Sequence, residues 1–215
     1  MPEKEFATNM STTALKIIAC ISMLVDHVGL VFFPGQLIFR LVGRLAFPLF
    51  CYCMTVGMVY TKNIKKYLMR LLVFAFVSQV IYIFAFYGEL KTGEIAKLSV
   101  FFTLLLSLLA VWGFKEGKYW LFAVSVLLSL IFDVDYSAYG IVLVLLFYLC
   151  RNKPALGAAL FVVSFMPYCF YNPLIAAITA LLIFAQMDIN IRISKWFFYA
   201  FYPAHLLVIA ILRNI

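Results

Sequence analysis

The segment TTALKIIACISMLVDHVGLVFF, residues 12–33, is apolar over a membrane-crossing length and carries Asp26 and His27 two thirds of the way along it. A stretch of this length is read as a transmembrane helix. Ionisable side chains in hydrocarbon are costly unless they pair or face a cavity, so the Asp26-His27 pair marks a candidate functional site. The sequence has to supply whatever justifies these two residues.

The rest of the chain has the same character. Of 215 residues, 67% are apolar, 18% aromatic and 12% charged, more apolar surface than one water-soluble core can hide. The expected fold is therefore all-α, a polytopic transmembrane helical bundle. The opening MPEKEFATNMSTT is mixed in charge and the run after it is too long for a signal-peptide core, so the first span is expected to be retained. The net charge of +8 is what Lys and Arg collected in cytoplasmic loops produce, and no nucleic-acid partner is expected. Cys20, Cys51, Cys53, Cys150 and Cys169 all lie in or beside apolar runs and behave as small hydrophobes, and Cys51-x-Cys53 lacks metal-ligand spacing. No metal site is expected, and there is no Gly-rich phosphate loop, H-E-x-x-H or G-x-S-x-G.

About nine spans follow from the apolar runs, at 12–33, 37–60, 67–87, 98–114, 119–132, 136–150, 155–171, 173–187 and 196–212. The Met166-Pro167 and Asn172-Pro173 interruptions allow the seventh and eighth to be one broken or re-entrant pair. No linker or repeat divides the chain, so residues 1–11 are expected to be a cytoplasmic tail and 12–215 one transmembrane domain. Basic residues set the orientation. The loop TKNIKKYLMR holds Lys62, Lys65, Lys66 and Arg70 and is expected inside. Alternation then places Lys4, Lys16, Lys115, Lys118, Arg151, Lys153, Arg192 and Lys195 inside too, and only Lys91, Lys97 and Arg213 outside. The expectation is an N-terminus inside, a C-terminus outside and an odd number of spans.

Two basic residues fall within a span. Arg40 and Arg44, in LIFRLVGRLAFPLF, are four apart and so share a helix face. At 1.5 Å per residue they lie about 5 and 10 Å below the outer surface, and His27 lies roughly 20 Å from the inner end of its span. Asp133, Asp135, Tyr136 and Tyr139 sit at the outer junction of the fifth and sixth spans, Gln79 and Tyr82 approach the same side, and His205 comes near mid-depth. These residues are expected to line one polar zone that opens outward. Within it, histidine suits a general base, and arginine suits phosphates or developing negative charge. Asp26 cannot orient its neighbour His27, because adjacent helical residues point about 100° apart, so it is expected to pair with Arg40 or Arg44.

Several blocks also carry a family resemblance. LKIIACISMLVDHVGLVFFP, FRLVGRLAFPLFCYCMTVGMVYTKNIKKYLMRLLVFAFVSQ, VFFTLLLSLLA, DVDYSAYG and KWFFYAFYPAHLL, in that order from Leu15 to Leu207, resemble the TraX family of conjugal-transfer membrane proteins. The resemblance implies a bacterial cytoplasmic (inner) membrane protein and an acetyltransferase, since the family's namesake is associated with N-terminal acetylation of F pilin from acetyl-CoA. It also implies kinship with transmembrane acyltransferases that take an acyl group from the cytoplasmic side and modify an acceptor on the far side. In that pattern His27 matches the catalytic base, and Arg40 and Arg44 match the second-block arginines. The expected partners are membrane lipids, acetyl-CoA and an extracytoplasmic peptide or glycan acceptor. Direct transfer and an acetyl-histidine intermediate both stay open. The residues alone also fit a transporter of a small anionic solute, or a scaffold of an envelope assembly.

Overall fold

The computed structural model describes residues 11–87, 97–170, 172–185 and 191–213. Apart from Ser11, the tail expected at 1–11 lies outside them, as do Lys4 and Lys91. The described residues form α1 (Thr12–Phe32), α2 (Leu37–Gly43), α3 (Ala46–Tyr60), α4 (Ile64–Tyr87), α5 (Val100–Lys115), α6 (Tyr119–Ile131), α7 (Ser137–Leu149), α8 (Pro154–Phe165), a 3-10 turn (Met166–Cys169), α9 (Pro173–Phe184) and α10 (Lys195–Arg213). Among them the isolated bridge Leu98 to Val134 is the one extended pairing. The fold is all-α.

Four helical stretches, Thr12–Phe32, Leu37–Tyr60, Ile64–Tyr87 and Lys195–Arg213, have the length and apolarity to cross a membrane. The other apolar helices are shorter: α8 and α9 have 12 residues each, about 18 Å, against a hydrocarbon core of about 30 Å. On α4, Val73, Phe76, Val77, Val80 and Phe84 form an exposed apolar face at helical spacing. On α10, Leu207, Val208, Ile211 and Leu212 form a second. Water would not tolerate such faces, whereas lipid covers them without cost. This is a membrane protein.

Two compact units divide the chain, one from Met1–Val59 and Leu146–Ser194, the other from Tyr60–Leu145 and Lys195–Ile215. In the first, α1 and α2 form a tight antiparallel hairpin. Its turn is Phe33-Pro34-Gly35-Gln36, with Gln36 N–H donating to Phe33 O at 3.1 Å and Gly35 at φ +95°, a conformation that favours glycine. The Phe33 and Phe39 rings stack across it at 5.2 Å. Gly29 meets Phe39, and Gly43 meets Asp26, so closely that a Cβ on either glycine would overlap its neighbour. Two glycines therefore set how near the helices come.

The span read at 37–60 is not one uniform helix. Arg44 N–H is shared between Arg40 O and Leu41 O, and Leu45 N–H turns to Val42 O, which tightens the chain between α2 and α3. Pro48 explains the change, because it has no N–H to offer the Arg44 carbonyl four residues back. Beyond this point α3 is apolar all round and buried, with Leu49, Cys51 and Thr55 fully enclosed. Tyr52 meets Phe147 edge-on at 5.6 Å, and Phe147 continues to Phe161 at 5.8 Å and Phe184 at 6.3 Å. Pro154 and Pro173 occupy first-turn positions of α8 and α9, where the missing N–H costs nothing. Asn172 caps α9, its side chain accepting from Leu174 N and Ile175 N.

In the second unit α4 begins at Ile64 rather than near 67, because Asn63 Oδ1 accepts from Lys66 N–H at 2.9 Å and caps it. Lys65, Lys66 and Arg70 therefore sit on its first turns and not in a loop. Helix α5 runs antiparallel to α4, and α10 runs parallel to it. Phe74 stacks on Tyr199 at 5.1 Å near one end, and Arg213 Nη1 donates to Ala85 O at 2.9 Å at the other. That last bond also places a cation at the carbonyl end of α4.

The close glycine contacts give a direct test. Gly43→Ala would push a methyl into Asp26, and Gly157→Ala would push one into Cys150 Cβ at 3.0 Å and the Phe184 ring. Each substitution should lower stability by about 1–3 kcal/mol, measured as a drop in melting midpoint in detergent.

Candidate functional site

Asp26 and Arg40 are the centre of the hairpin. Arg40 Nη1 lies 2.9 Å from Asp26 Oδ1, with both side chains largely withdrawn from the surface, so Arg40, one of the two expected partners, pairs with it. The geometry follows from sequence. Asp26 and Gly29 are three apart on α1, and Phe39, Arg40 and Gly43 share the face of α2 that returns past them. Because Gly43 has no side chain, the Asp26 carboxylate can lie against the α2 backbone and reach Arg40 one turn earlier. Neither charge is left bare in a low-dielectric surrounding.

Arg44 lies one turn beyond Arg40. Its guanidinium lies over the Phe170 ring, 4.9 Å from the centroid, within the same unit. His27 is half-buried on α1 next to Asp26. Asp26, His27, Arg40 and Arg44 therefore all belong to the α1–α2 hairpin and its exit into α3.

The remaining expected residues belong to the second unit. Asp135 Oδ1 pairs with Lys97 Nζ at 3.4 Å, and the Asp135 carbonyl accepts from the Thr103 hydroxyl. Asp133 is exposed, and its carbonyl accepts from Leu98 N–H at 2.8 Å. Gln79 closes the arrangement by bracketing the 97–99 segment: its Nε2 donates to Lys97 O at 3.0 Å and its Oε1 accepts from Ser99 N–H at 2.8 Å. Tyr136 and Ser137, at φ 61° and 44°, hold left-handed backbone at the entry to α7, and half-buried Tyr139 lies on its first turn. His205 is buried in α10, stacked on Phe201 at 5.1 Å, and its Nδ1 bonds to Phe201 O at 2.7 Å. A carbonyl can only accept, so Nδ1 is the donor in this bond.

The structure thus groups the expected residues as two sets, each coherent within its own unit. Sequence reasoning missed Lys97 as the partner of Asp135, Gly43 as the seat of Asp26, and Phe170 as the support of Arg44. Gly43 lies three residues after Arg40, and small residues at helix contacts are a readable signal. The other two contacts join residues distant in sequence and leave no local mark. Among the described residues no cluster of three or more metal-ligating side chains occurs.

No solved structure matches the chain. A relative from Dichelobacter nodosus, named "Probable fimbrial assembly protein FimC, serogroup H1", is 31% identical over 139 residues, covering 60% of this chain and 55% of that protein. A shorter match, 47% identical over 38 residues, links 18% of this chain to 15% of "Uncharacterized protein RP591" of Rickettsia prowazekii (strain Madrid E). The chain thus spans little more than half of the first relative and a small part of the second. The family described as TraX protein matches residues 11–213, from the start of α1 to the end of α10. The chain belongs to the TraX family.

Proposed function

We propose that this protein is an integral membrane acetyltransferase that moves an acetyl group from acetyl-CoA to an amine, such as a peptide or pilin N-terminus, or to a hydroxyl on the extracytoplasmic side. The observation that carries the reading is the composition of the α1–α2 hairpin. It holds a carboxylate and a guanidinium paired at 2.9 Å, a second guanidinium one turn on, and an imidazole beside the carboxylate. Each charge costs about 2.5–3.5 kcal/mol to insert at mid-membrane, an expense that hydrophobic packing alone gives no reason to retain. Membership of the TraX family and the fimbrial-assembly name of the Dichelobacter relative support an acceptor connected with pili.

The roles divide by geometry. Arg40 pairs with Asp26, so its part is to fix the hairpin. Arg44 is the guanidinium placed for developing negative charge, and His27 is the base. A half-buried position suits Arg44, since a charge–oxyanion contact strengthens as water is excluded. Bound acetyl-CoA supplies an activated thioester carbonyl. His27 takes the proton from the acceptor N–H or O–H as its lone pair attacks that carbon. Arg44 stabilises the oxygen that gains charge. As the carbon–sulfur bond breaks, the proton held on His27 passes to the departing sulfur, which leaves as free CoA thiol and restores the neutral base.

The same reading includes a topology. We assign nine membrane crossings in the bacterial inner membrane, with the N-terminus inside and the C-terminus outside, on the distribution of Lys and Arg.

Two measurements test these assignments. Purified protein in lipid nanodiscs, given radiolabelled acetyl-CoA and an amine acceptor, should transfer acetate. His27→Ala should reduce turnover by about a hundredfold or more while CoA binding survives. Absence of both binding and turnover in the wild type would remove the acetyltransferase reading. For topology, the five native cysteines are buried, so single added cysteines report cleanly. Asp133→Cys should react with an impermeant maleimide on intact cells and Lys62→Cys only after permeabilisation; the opposite pattern would reverse the orientation.

A further inference from the structure

We infer that Phe170 is a positioning residue for Arg44, held by a strained turn so that its ring carries the guanidinium. Phe170 ends the 3-10 turn Met166–Cys169 with φ 56° and ψ 35°, in the left-handed region. For a bulky side chain this is a true outlier, and glycine would sit there without strain. The phenyl group does not fill the core, being 46% exposed. The ring faces Arg44, whose Cζ lies 4.9 Å from the ring centroid.

The backbone on both sides imposes the conformation. On one side Phe170 N–H closes the turn onto Met166 O. Cys169 is fully buried, with its Sγ 3.4 Å from both Met166 O and Asn172 O. On the other side Asn172 N–H donates to Cys169 O at 3.0 Å, and the Asn172 side chain caps α9 just before Pro173. Pro167 and Pro173 restrict the flanking φ angles further. The turn is therefore over-determined, which is the condition under which a strained residue persists.

Arg44 benefits from such a support. It is the residue that ends α2, and a guanidinium on a long side chain has many rotamers. An aromatic face restricts the plane of the guanidinium by cation–π contact. The catalytic consequence rests on the role proposed for Arg44 above; the positioning itself does not.

The test uses full-length protein in nanodiscs with isotope-labelled arginine, Arg44 being assigned from the resonance lost in Arg44→Lys. Arg44 side-chain protons should show an upfield ring-current shift that disappears in Phe170→Leu and Phe170→Gly and persists in Phe170→Tyr. Phe170→Gly should melt no lower than Phe170→Leu, since it relieves the left-handed strain. Acetyl transfer should fall about tenfold in Phe170→Leu and stay within about twofold of wild type in Phe170→Tyr. Arg44 resonances unchanged in Phe170→Leu would overturn the inference, as would a lost shift with undiminished turnover in an active enzyme. If the wild type transfers no acetyl group, the proposed function falls, while the ring-current comparison still decides whether Phe170 positions Arg44.

Discussion

The ion pair between Asp26 and Arg40 is the constraint on which the first unit depends. A charge in a membrane-buried helix is tolerable only with a partner, and here the partner arrives on the next helix after a four-residue turn. The pair fixes the register of α1 against α2, because no other alignment brings the carboxylate to the guanidinium while placing Gly43 and Gly29 at the closest approach. Once that register is set, Arg44 emerges at the break before α3 and His27 stays beside the pair. The residues with chemical capacity are thus placed by the same interaction that makes the hairpin affordable.

The second unit is held together differently. Its long helices α4 and α10 lie side by side through aromatic contacts and present apolar faces to lipid, so dispersion and shape rather than charge fix them. Polar order is concentrated where α5 begins and α6 ends. There the Gln79 amide takes the place of a neighbouring strand, donating to one backbone carbonyl and accepting from one N–H of the 97–99 segment. The bridge to Val134 and the Lys97–Asp135 pair then tie the two loops together. Backbone that leaves helix in an apolar protein needs such partners, because each unsatisfied group is costly.

Much of this was legible in the sequence, for identifiable reasons. The α-helical class followed from apolar runs that only lipid could accommodate, and the Asp26 pairing followed from the cost of a lone carboxylate. The TraX resemblance was carried by motifs along the chain, and the family match over residues 11–213 bears it out. Three features were read less well. The apolar run begins at 67, three residues inside α4, because the lysines of its first turns hide the Asn63 cap. The span at 37–60 is present, but its apolar run does not show the break that Pro48 imposes one turn earlier. Phe170 gave no signal at all, since a left-handed phenylalanine is decided by the turn around it and not by its own preference.

The measurement that bears most directly on this account is a double-mutant cycle on the ion pair. Asp26→Asn, Arg40→Gln and the double variant would be compared with wild type by reversible unfolding in detergent micelles. The account predicts that each single change is more damaging than the pair of changes implies, with a coupling of about 1–3 kcal/mol. A coupling near zero would show that the two charges do not hold the hairpin together, and would contradict the placement of Arg44 and His27 that rests on it.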